Sequence, residues 1–61
     1  MKIYDCTCGN KLCSMTLEIY NENGKVGIIV SNSSIRDSVV LDKHQIIDMA
    51  VIVNKIFSGK N

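Results

Sequence analysis

SVVLDKHQIIDMAVIVNKIFSG, residues 38–59, is the stretch whose reading decides the fold: the end of a strand running into one amphipathic helix. Asp42 stands three residues before Gln45 and just ahead of an apolar run, the spacing at which two side chains satisfy each other's orphan N–H groups at a helix start. Gly59, which enters the left-handed region without penalty, and Lys55 and Lys60, favourable near carbonyl ends, mark the finish. The spacing therefore predicts a helix over Lys43 to Phe57. At about 100° per residue, Ile46, Met49, Ala50, Val53, Ile56 and Phe57 fall on one broad stripe. Ile52 lies beyond one edge of it, and Ile47 and Val51 beyond the other. Only His44, Asp48 and Lys55 form a wet strip. A helix this oily needs cover on a second side, so self-association through Ile47, Val51 and Ile52 is expected.

Working back towards the N-terminus, Ile35 to Leu41 reads as the strand that feeds the helix, preceded by the polar loop Ser31-Asn32-Ser33-Ser34. Before it stands the clearest strand pattern in the chain. Met15, Leu17 and Ile19 alternate with Thr16, Glu18 and Tyr20, and Asn23-Gly24 is the dipeptide that a type I′ hairpin turn demands. Folding back on that turn sets Ile19 opposite Ile28 and Leu17 opposite Val30, so the two apolar faces coincide. The other face then carries Tyr20, Glu18, Thr16 and Ile29. Met1 to Cys8 is a further strand, and a tight turn at Gly9-Asn10 would set Cys6 opposite Cys13 and Tyr4 opposite Met15, with all three cysteines on one face. The expected architecture is an α+β domain: an antiparallel meander of three to four strands followed by one C-terminal helix packed on one sheet face, with the other face bare.

Sixty-one residues form one domain, 1–61, and so short a chain removes only about 60% of its unfolded surface from water. A disulfide, a metal or a partner subunit is wanted to stabilise it, and a hydrophobic content of 46% makes a second subunit the readiest source, giving a homodimer. The net charge is +1, and the seven Lys and Arg are scattered without a run that would track phosphates, which disfavours nucleic acid. No apolar run approaches the ~20 residues of a membrane span and no signal-peptide pattern is seen, so no membrane role and a cytoplasmic location are the default expectations.

Cys6, Cys8 and Cys13 are the only dense chemical cluster, and with His44 they make a candidate four-ligand zinc set. The spacing Cys6-Thr7-Cys8-Gly9 is one residue short of a zinc-knuckle Cys-x-x-Cys-Gly. Free cysteines acting as small core hydrophobes, or a Cys6 to Cys13 disulfide after aerobic handling, are the other readings. Catalysis is not expected. The single histidine, His44, sits on the first turn of the helix and reads as a solvated residue, the carboxylates show no paired spacing, and the four glycines form no phosphate loop.

The ending Ser38-Val-Val-Leu-Asp-Lys-His-Gln-Ile-Ile, continuing to Ala50 and Phe57, resembles the strand-then-capped-helix ending of many very short phage-encoded accessory proteins. That resemblance covers the last third of the chain and implies a small homodimeric anti-defence protein, found in the host cell cytoplasm, that binds and blocks a host protein. The expected function is accordingly a non-enzymatic interaction protein and inhibitor, with partner contacts at Tyr20, Glu18 and Ile29 on the bare sheet face and at Asn32 and Arg36 by the polar loop. The alternative is a zinc-stabilised nucleic-acid-binding or regulatory module built on Cys6, Cys8 and Cys13.

Overall fold

The computed structural model describes residues 1–59, so Lys60, expected beside the helix C-terminus, lies outside the described residues. Four strands, β1 (Lys2–Asp5), β2 (Thr16–Glu22), β3 (Lys25–Ser31) and β4 (Arg36–Leu41), form one antiparallel sheet in sequence order and are followed by the helix α1 (Lys43–Ser58). This is the expected α+β meander with a C-terminal helix.

The β2–β3 hairpin follows directly from its turn residues. Glu22 pairs with Lys25, leaving Asn23 and Gly24 as a two-residue loop with φ of 52° and 84°, the pair of positive angles that twists a hairpin correctly. The Gly24 N–H donates to Asn21 Oδ1 at 2.9 Å, which ties the turn to the strand before it. In the resulting register Leu17 faces Val30 and Ile19 faces Ile28, as the alternation demands, and β4 adds Val39 and Leu41 to the same side. On the opposite side the Tyr20 ring lies over Gly27, so closely that a Cβ at Gly27 would collide with it. Gly27 is the one buried residue among those described.

The connection between β1 and β2 departs from the expected tight hairpin. Tyr4 pairs with Leu17 and Asp5 with Thr16, while the Cys6 N–H donates to the Met15 carbonyl at 3.0 Å, so Cys6 faces Met15 and not Cys13. A two-residue type I′ turn needs positive φ at both of its residues, and here Gly9 (φ 84°) has it while Asn10 does not. Asn10 instead accepts the Leu12 N–H on its side-chain oxygen at 2.9 Å and the Cys13 N–H on its carbonyl at 3.0 Å, which reverses the chain over residues 10–13. The strands therefore close further out, and residues 6–15 form a broad loop.

The helix ends where the sequence says it should. The Gln45 N–H donates to Asp42 Oδ1 at 2.9 Å and the Asp42 N–H to Gln45 Oε1 at 3.1 Å, a complete capping box. Gly59 closes the far end at φ 73°, its N–H directed to the carbonyls of Ile56 and Lys55. What differs is the cover the helix gives the sheet. It meets the sheet against β3, and Ile46 is its one half-buried residue; none is fully buried. A helix of 16 residues is about 24 Å long, and most of that length stands clear of the strands. The molecule accordingly measures 34 × 31 × 16 Å with a radius of gyration of 13.5 Å, against about 10–11 Å for a compact chain of this length. Both sheet faces, and not one, retain access to solvent, for Val39 and Val40 on opposite faces of β4 are both exposed. No helix among the described residues is long and apolar enough to cross a membrane.

Candidate metal centre and interaction surface

Two features of this fold are candidates for function: the sulfur atoms gathered in the 6–15 loop and the apolar surface the helix leaves uncovered. Cys6 is held at the sheet end by its bond to Met15, Cys8 follows two residues on, and Cys13 is brought back by the Asn10 turn. The three Sγ atoms lie within 4.8 Å of one another, and all three thiols are free. The expectation that the cysteines converge is thus met, by a wider loop than the one expected.

His44, the expected fourth ligand, is not in the cluster. It sits on the exposed first turn of α1, which leaves the sheet at the end of β4.

The thiols perturb one another. Cys8 is held below the ordinary thiol value, first by the backbone N–H of Asn10 and then by hydrogen bonds with the Cys6 and Cys13 side chains, all of which favour its thiolate. For Cys6 the largest single influence, the backbone N–H of Cys8, also favours the thiolate. Hydrogen bonds with the Cys8 and Cys13 side chains, slight desolvation and the charge of Cys13 outweigh it, so Cys6 lies above its ordinary value. Three thiols within 4.8 Å of one another, one of them with its thiolate favoured, are a soft donor set, suited to thiophilic cations.

The second feature is the helix. Ile47, Val51 and Ile52, the expected association flank, and Met49, Val53 and Ile56, the expected core stripe, are all between 42% and 60% exposed. Periodicity divides these residues between an inner and an outer surface, and the fold leaves both as exposed apolar surface. Phe57, at 85% exposed, extends it to the end of the helix. The signal that points to this is the chain length, since four short strands offer too little surface to bury so wide a stripe.

Of the expected partner contacts, Glu18, Tyr20, Ile29 and Arg36 share the face that also carries Gly27. Tyr20 and Ile29 are half-buried there, Tyr20 because its ring covers the glycine. Asn32, the remaining expected contact, shapes the backbone beside that face. Its side-chain oxygen accepts the N–H groups of Ser34 and Ile35, each at 2.7 Å, and so folds the loop into β4. Beside the cysteine loop, Tyr4, Asp5, Cys6, Met15, Thr16, Leu17 and Val30 line an open hollow of about 340 Å³ at the end of the sheet. No protein-family model, curated protein or solved structure matches the chain.

Proposed function

We propose that this chain is a non-enzymatic interaction protein that pairs with a second copy of itself through α1 and uses the sheet face around Glu18, Tyr20, Ile29 and Arg36 to bind and block a host protein. The observation that carries the pairing is the uncovered surface. The chain exposes 5301 Å², whereas a folded chain of 6.8 kDa exposes about 4,000 Å² by the usual size scaling, an excess of about 1,300 Å². A stable interface takes about 800 Å² from each partner, and obligate ones take more. The excess is thus what one subunit contributes to an obligate dimer, and the exposed helix residues supply the apolar character such interfaces have. The inhibitor part draws its support from the resemblance of the chain ending to short phage accessory proteins.

Sedimentation at micromolar concentration should give a dimer, and Ile47→Asp with Val51→Asp should shift it to monomer or unfolded chain. A wild-type chain that sediments as a folded monomer at 100 μM would remove the pairing. For the partner, a tagged chain incubated with host lysate should retain one protein, and Ile29→Asp should release it while the dimer persists; retention unaffected by that change would refute the assigned face.

A second reading, a zinc-stabilised module, is favoured by the convergence of the three sulfurs within 4.8 Å. It supplies the stabilisation a chain of this size needs by a different route, and it is compatible with pairing.

A further inference from the structure

We propose that Cys6, Cys8 and Cys13 form a three-thiolate zinc site whose fourth coordination position is filled from outside the chain. The inference rests on the zinc-stabilised reading and goes beyond it, because it specifies the donor set and what the metal is free to bind.

Tetrahedral zinc holds sulfur at about 2.3 Å, which places bound sulfurs about 3.8 Å apart. The three Sγ atoms already lie within 4.8 Å of one another, so closing on a metal asks for movements of about 1 Å or less, within the reach of side-chain rotation. The loop backbone is fixed in a shape that allows this: Cys6 is bonded to Met15, the Asn10 turn holds Leu12 and Cys13, and Gly9 takes the left-handed angle that sends the chain from Cys8 into that turn. Each thiol gives its proton to solvent as its sulfur–zinc bond forms, so uptake releases protons in proportion to the thiols that were neutral beforehand.

Structural zinc sites are closed by four protein ligands, and sites with three keep an exchangeable position. Among the described residues no histidine or carboxylate joins the three sulfurs. The site lies on an exposed loop, with Cys6 and Cys8 open to solvent and Leu12 at its tip 93% exposed, so an outside ligand meets no steric barrier. A small neutral or anionic donor, such as an imidazole, a thiolate or water, is the chemical class that fits the fourth position.

The test uses the reduced full-length chain with zinc, and with cobalt as a spectroscopic substitute. One metal should bind per chain, with tetrahedral cobalt bands and sulfur charge-transfer intensity corresponding to three cobalt–sulfur bonds. Adding imidazole at millimolar concentration should shift the visible bands, and the shift should saturate. Cys8→Ser should lower zinc affinity at least tenfold in competition with a chromophoric chelator, while His44→Gln should leave it unchanged. Failure of the reduced chain to take up metal would sink the zinc reading and this inference together. Uptake of one metal per chain with bands indifferent to imidazole would leave zinc standing and overturn the open position.

Discussion

Tyr20 and Gly27 face each other across the β2–β3 ladder, and the aromatic ring occupies the volume that a side chain at Gly27 would need. A glycine inside a strand ordinarily weakens it by roughly 0.5–1 kcal/mol relative to alanine, and an aromatic neighbour laid over it offsets that loss by shielding the bare backbone. The two residues should therefore be coupled. Gly27→Ala in the native background forces the ring outward and should destabilise by about 1 kcal/mol, a typical cost of overpacking. In a Tyr20→Thr background the same change should be neutral or stabilising. Urea denaturation of the four variants at one protein concentration measures the coupling, and additive effects would show that the ring contributes nothing to the strand. The register that opposes these residues is readable from Asn23-Gly24 alone, since the two-residue turn fixes every pair above it. The ring covering the glycine is not, because alternation says which face a side chain takes and not where along the strand it leans.

At the scale of elements, local chemistry decides what is legible. Asp42, Gln45 and Gly59 announce the ends of α1 because capping is settled within four residues of chain, and the alternation in β2 announces a strand for the same reason. Gly9-Asn10 carries the residue types of a tight turn, yet the interactions that shape the 6–15 loop, Asn10 with Leu12 and Cys13 and Cys6 with Met15, depend on how the strands meet. The apolar stripe of α1 is equally incomplete as a guide to packing, for it specifies that cover is needed without saying who provides it. The helix owes little to the sheet, so its stability leans on its own caps: a 16-residue helix without tertiary support is marginal in water. Asp42→Ala should cost about 1 kcal/mol. The loss should show as reduced helical circular dichroism at low protein concentration, with the sheet signal preserved and the helix regained as concentration rises. Equal loss of helix and sheet at every concentration would mean that the two elements fold as one unit within a single chain.

For the whole molecule, area and mass action decide stability. A chain whose radius of gyration is 13.5 Å and whose apolar helix stands largely clear of its sheet has little interior of its own, with Gly27 the one buried residue among those described. On the pairing proposed above, association supplies the missing stability, and a state stabilised by association becomes more stable as concentration rises. If the folded species is a dimer, a hundredfold rise in chain concentration adds about 2.7 kcal/mol per dimer, which for roughly 120 cooperatively melting residues raises Tm by about 10 °C. Melting the reduced, metal-free chain at 1 and 100 μM should reveal that displacement, and Ile47→Asp should abolish it along with most of the folded signal at 1 μM. Zinc offers an independent check, because metal held at the proposed three-thiolate site would stabilise each chain whatever its neighbours do and should raise both melting temperatures while leaving the gap between them. A cooperative transition with the same midpoint at both concentrations would mean that one chain folds alone with its helix in water, and the uncovered surface would then need another explanation than a second copy.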